Sequence, residues 1–166
     1  MNLPSRALIT AAAADLLRRL QSRNGAVMFH QSGGCCDGSS PMCYPEGDFI
    51  VGDRDVLLSI LDVGGDGVPV WISGPQFDAW KHTQLVIDVV PGRGGGFSLE
   101  SPEGMRFLSR GRAFTDAENA LLSEHPPVTG EQYEAGARPP ETGTHVVAQA
   151  EDACPIPRRH AAGVQP

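Results

Sequence analysis

"QLVIDVV", residues 84–90, is the stretch from which the fold is read. Apart from Asp88 it is apolar on both faces and rich in β-branched residues, which suits a strand covered on both sides. Upstream, "GPQFDAWKHT" (74–83) changes character. Gln76, Phe77, Trp80 and Lys81 suit a short helix, with Pro75 near its start. Downstream, "PGRGGG" (91–96) is a loop, and "FSLES" (97–101) and "MRFLSRGRAF" (105–114) read as strands. Thr115 with Glu118 forms a capping box for a short helix, "DAENALLSE".

Working back toward the N-terminus, "VPVWI" (68–72) is a strand and "GGDG" (64–67) a turn. "DFIVG" (48–52) and "DVLLSILDV" (55–63) read as strands joined at Gly52-Asp53. "AVMFHQ" (26–31) is another strand, with Val27 and Phe29 alternating against Met28 and His30. "LITAAAADLLRRLQ" (8–21) reads as an amphipathic helix, with Leu8, Ala12, Leu16 and Leu20 at i, i+4 spacing and Gly25 as its stop. The expected architecture is one α+β domain over residues 1–125, a helix packed on a mostly β body of about seven strands. From Pro126 to Pro166, Pro, Gly, Glu and Ala dominate, and this segment reads as a flexible or disordered tail.

The chain carries a formal net charge of -7, and its only close basic groupings are Arg18-Arg19, Arg110/Arg112 and Arg158-Arg159. Nucleic acid, which is held by clustered Lys and Arg, is therefore disfavoured as a partner. No apolar run approaches the roughly 18 residues needed to span a bilayer. Asp15 and two arginines interrupt the apolar N-terminus, so it lacks the pattern of a signal peptide. The expected location is the cytoplasm, where cysteines stay mostly reduced.

That expectation bears on "HQSGGCCDGSSPMCY", residues 30–44. Cys35, Cys36 and Cys43 offer thiolates, which suit zinc, copper(I) or iron–sulfur species. His30 offers an imidazole at the end of the preceding strand, and His82 in "WKHT" is a further candidate ligand. Gly33, Gly34 and Gly38 permit the backbone turns needed to wrap a centre. The spacing lacks the C-x2-C pairs of structural zinc sites. A tight turn with buried, inert cysteines is the alternative. Cys35 with His30 or His82 also has the parts of a nucleophile–base pair. "GRGGGF" (92–97) leads into a strand instead of a helix, so no nucleotide is expected.

The strings "HQSGGCCDGSSPMCYPEGDF" and "QFDAWKHTQLVIDVVPGRGGGFSLESPEGMRFLSR" resemble those of an uncharacterised bacterial family, domain-of-unknown-function family 779. Genes of that family often stand beside aldehyde dehydrogenase genes. The resemblance implies an accessory role near aldehyde or alcohol oxidation, with an aldehyde dehydrogenase as partner. The order of parts also resembles the HesB/IscA-like A-type iron–sulfur carriers. "SGGCCDG" stands for their cysteine loop, with Cys35 on its cysteine, and "LVIDVVPGRGGGFSLESPEG" for their last strands. That resemblance implies a HesB/IscA-like fold and iron or an iron–sulfur cluster as cofactor, with zinc as the alternative. The carriers' C-terminal C-G-C pair is replaced here by "PEGMRFLSRGRAF", which has no cysteine. Cys36, Cys43, His30 or His82 must then complete the shell, or a second copy of the chain in a homo-oligomer. Three functions follow as expectations: a metal-binding or redox accessory protein, a thiol enzyme acting on aldehydes or their thiol adducts, or a non-catalytic dehydrogenase partner docking near Trp71, Phe77 and Trp80.

Overall fold

The computed structural model describes residues 3–31, 40–92 and 98–153. The protein is α+β. The elements run β1 (Ala7–Thr10), α1 (Ala11–Asn24), β2 (Val27–Gln31), β3 (Met42–Pro45), β4 (Val56–Leu61) and β5 (Val68–Ile72). Then follow α2 (Gly74–Trp80), β6 (Thr83–Pro91), β7 (Met105–Ala113), α3 (Asp116–Ser123), β8 (Val128–Thr129), α4 (Gly130–Glu134) and β9 (Val146–Val147). The strands form two mixed sheets, a four-stranded one ordered β7-β6-β1-β9 and a five-stranded one ordered β3-β2-β5-β4-β8. The described residues thus hold nine strands, not about seven.

The strand read over 84–90 is β6, and it organises the first sheet. It pairs in parallel with β1 and antiparallel with β7 along its whole length, from Thr83↔Ala113 to Pro91↔Met105. β2 and β5 run parallel in the second sheet. The described chain crosses between the sheets four times, each time through a helix: α1 from β1 to β2, α2 from β5 to β6, α3 from β7 to β8 and α4 from β8 to β9.

The inner faces meet in one apolar cluster. Ala7, Ile9, Leu85, Ile87 and Phe107 of the first sheet pack with Val27, Phe29, Val70 and Ile72 of the second and with Leu16, Leu17 and Leu20 of α1. A smaller cluster of Met28, Leu57, Trp71 and Val128 covers the outer face of the second sheet. Trp71 and Trp80 are both buried in the protein's own interior. Phe77 is half-buried beneath the Arg6 guanidinium, 5.5 Å from the ring centre.

Three readings of the sequence need correction. First, the helix begins at Ala11 and not at Leu8, because Ala7–Thr10 is an edge-to-edge strand between β6 and β9. Thr10 sets the boundary, since its hydroxyl accepts from the Ala13 N–H at 3.3 Å as the N-cap. Second, residues 48–52 are not a strand. They belong to a loop whose Phe49 and Val51 pack against the outer cluster. Third, Ser98–Glu103 is a turn followed by a short 3-10 helix. Its Ser98 and Glu100 side chains point inward and take hydrogen bonds from the Cys43 and Phe107 N–H groups. Phe97 lies outside the described residues, as do the glycines at 94 and 95.

The sequence places everything after residue 125 outside the domain, but β8, α4 and β9 pack as part of it. β8 extends the second sheet through Val56↔Thr129, and β9 extends the first through Ile9↔Val146. Residues 154–166, including Cys154 and His160, lie outside the described residues. Among the described residues no helix is long and apolar enough to cross a membrane.

On the outer face of the first sheet, Asp88 accepts from Arg110 Nε at 2.8 Å and from the Thr10 hydroxyl at 3.0 Å. Burial pushes its pKa up, but these bonds and the Val89 N–H outweigh it and hold it below its ordinary value. Glu118 is likewise held low, chiefly by its two-pronged bond to Arg112. A carboxyl with a depressed folded pKa adds stability above its unfolded pKa and loses it as pH falls. The Tm is therefore expected to hold at neutral pH and to fall below about pH 4. Asp88→Asn and Glu118→Gln should lower the neutral-pH Tm and flatten the acid limb, as measured by calorimetry across pH. An unchanged acid limb in both variants would refute the assignment.

Candidate functional site

β2 alternates strictly. Val27 and Phe29 enter the core, while Met28 and His30 face outward onto the second cluster. His30 lies opposite Trp71 on β5 and Met42 on β3. Its ring packs on Phe49 with centroids 4.3 Å apart, and Phe49 stacks in turn on Tyr44 at 4.9 Å. His30 Nε2 stands 2.9 Å from Asp55 Oδ2, with side-chain exposures of 4% and 17%. Asp55 is fixed from two directions. Its Oδ2 also accepts from the Gly52 N–H at 2.9 Å, and its carbonyl accepts from the Gly130 N–H at 2.8 Å.

The carboxylate is an acceptor, so the pairing puts the imidazole proton on Nε2. A buried imidazole held this way has a fixed ring plane and a fixed tautomer. Both a metal-ligating histidine and a general base require that.

The other expected ligands are placed differently. Cys43 pairs with Phe29 across the sheet and enters the core, on the face opposite His30. Its N–H donates to Ser98 Oγ at 2.9 Å, and the Ser98 hydroxyl donates to the buried Glu100 carboxylate. Burial first, and the charge of Glu100 second, push the Cys43 thiol far above its ordinary pKa. It is a protonated core thiol, as in the inert-cysteine alternative. The structure thus does not bring Cys43 to His30.

His82 is exposed in the turn after α2, with Nδ1 3.0 Å from Asn119 Oδ1. It too is not brought to His30. Cys35 and Cys36 lie outside the described residues. Among the described residues no three His, Cys, Asp or Glu side chains gather to hold a metal ion.

Asp55 and Phe49 are the partners of His30 that the sequence reading missed. Asp55 is one of four aspartates, with Asp48, Asp53 and Asp62, spread between residues 48 and 62. The available signal was Asp55 standing just ahead of an apolar strand. Nothing local linked it to a histidine 25 positions earlier.

These features define an α+β protein of two mixed sheets. Its described candidate centre is a buried, carboxylate-oriented histidine at the end of a strand. The family described as a domain of unknown function (DUF779) matches residues 16–113, and the chain belongs to that family. The match takes in His30, Asp55 and the cysteine segment but neither β1 nor any element after β7. No curated protein and no solved structure matches the chain. The likeness to HesB/IscA-like carriers therefore finds no support in these comparisons.

Proposed function

We propose that the chain is a metal-binding or redox accessory protein of an aldehyde or alcohol dehydrogenase system, with its centre where β2 ends. The His30–Asp55 pair carries this reading. Metal-bound histidines characteristically give their second ring N–H to a carboxylate, which fixes the ring and raises its basicity. Cys35 and Cys36 follow His30 closely in sequence and supply the sulfur donors. A nitrogen-and-thiolate donor set suits iron, an iron–sulfur cluster or zinc. Cys43 and His82 drop out of the ligand set. The dehydrogenase link rests on the gene neighbourhood of the family.

The test is elemental analysis and an absorption spectrum of protein purified without oxygen. Near-stoichiometric metal is expected in the wild type and in Cys43→Ala. Cys35→Ser/Cys36→Ser should lose it. Asp55→Asn should weaken metal affinity about 10–100-fold, the usual cost of removing such a carboxylate. Metal content unchanged in the double cysteine variant would defeat the proposal.

The same pair supports a second reading. With Asp55 orienting it, His30 has the geometry of a base for a Cys35 nucleophile acting on an aldehyde. A metal-free wild type whose Cys35 is alkylated fast at neutral pH, and slowly in His30→Ala, would favour this enzyme. A slow thiol in both would remove it.

A further inference from the structure

A cleft of about 620 Å³ opens between residues 3–6, β4 and the segment running from Leu122 to His145. That volume lies within the usual range for small-molecule sites. Its walls include Leu58, Ile60, Pro126, Pro127, Pro139 and Pro140. Arg6 also lines it, though this side chain is only 9% exposed. Arg6 Nη2 donates to the Leu122 and His125 carbonyls at 3.1 and 3.0 Å. No carboxylate among the described residues pairs with it. A guanidinium carries five N–H donors, and buried charges are normally matched by an opposite charge. Carbonyls satisfy donors but leave the positive charge whole.

A second arginine, exposed to solvent, flanks it. Arg138, also on the cleft, donates to the Tyr133 and Ala137 carbonyls and stacks 3.7 Å from the Tyr133 ring centre. The cavity on the outer face of the first sheet makes the contrast. There Arg110 is paired with Asp88 and Arg112 with Glu118, so its charges are already cancelled. Asp62 and Glu141 line the first cleft as well. Neither carboxylate forms an ion pair with Arg6 among the described residues, and the two together oppose a dianion such as phosphate.

We propose that this cleft binds a small organic monocarboxylic acid, its carboxylate on Arg6 and its apolar body against Leu58 and the prolines. Thr142 Oγ1 and His145 Nε2, 2.9 Å apart, add polar groups beside it. Arg-to-carboxylate pairing supplies direction, and the proline walls supply area without flexibility. The site is separate from the His30 centre and stands whether or not that centre holds a metal.

The test uses the full chain with hexanoate and phenylacetate, their matched neutral amides, and inorganic phosphate, by calorimetry and NMR. Both acids should bind, each amide at least about tenfold more weakly, since a hydrogen bond to a charged group is lost. The Arg6 Nε resonance should shift with the acids and stay fixed with phosphate. Arg6→Gln should lower acid affinity about tenfold or more. If that variant fails to fold, the wild-type Arg6 resonance decides the matter. Equal binding of acid and amide, equal binding of phosphate, or an Arg6 resonance indifferent to the acids would overturn the proposal.

Discussion

Phe29→Ala is expected to cost about 3–5 kcal/mol, read as a lower urea midpoint with an unchanged slope. Phe29 and Phe107 are both fully buried, one from each sheet. Their rings meet edge to face, with centroids 5.0 Å apart and planes at 87°. The pair is thus one of the contacts through which the two inner faces grip each other. Truncation removes a large apolar side chain, leaves a cavity and ends the aromatic contact, itself worth about 0.5–1.5 kcal/mol. Domains of this size are typically stable by about 5–15 kcal/mol, so the variant should be near its unfolding threshold at 37 °C. Phe29→Leu should cost much less, because most of the volume stays. A loss under about 1 kcal/mol in the alanine variant would mean the sheets do not depend on this contact.

Gly130→Ala should cost about 3 kcal/mol for a different reason, overpacking instead of loss of packing. A methyl group at residue 130 would stand 2.0 Å from the Gly52 carbonyl oxygen and 3.3 Å from Val51 Cγ1. The obstacle is backbone, so either α4 or the 46–55 loop must shift. Both choices strain the Gly130 N–H bond to the Asp55 carbonyl and the Glu131 N–H bond to the Asp53 carbonyl. Asp55 holds His30, so the damage reaches the candidate centre. The His30 ring resonances should move in Gly130→Ala and stay close to wild type in Glu134→Ala on the exposed end of the same helix. Unmoved His30 resonances, with normal stability, would show that this clamp does not position the histidine.

Regular, local features of the fold were legible in the sequence. β2, β5, β6 and β7 lie within a residue or so of where alternation and apolar runs place them, and the Thr115–Glu118 capping box is formed. What escaped depends on distant partners. Ala7–Thr10 is a strand only because β6 and β9 flank it. Taken locally, its leucine joins the helical spacing that follows. β8 and β9 span two residues each, too short for any period to show, and the sheet edges they complete define them.

The candidate site divides in the same way. His30 stood out through its place beside the cysteine segment. Strand alternation sets His30 opposite Phe29 but says nothing of the face that Cys43 takes. The pairing of Phe29 with Cys43 puts the thiol on the core side. The His30–Asp55 contact crosses a turn and a strand boundary and left no periodic trace.

β1 occupies the middle of its sheet, with β6 on one side and β9 on the other. Its neighbours come from the middle of the chain and from residues 146–147, and the Ile9 N–H is matched by the carbonyl of His145. A growing polypeptide therefore exposes one raw edge of β1 until almost all the described sequence has left the ribosome. Contacts of such long sequence separation form slowly, and an uncovered strand edge recruits other chains. Shortening the protein after α3 would not trim an ornament. It would leave that edge open for the molecule's whole lifetime and turn a folding intermediate's hazard into a permanent one.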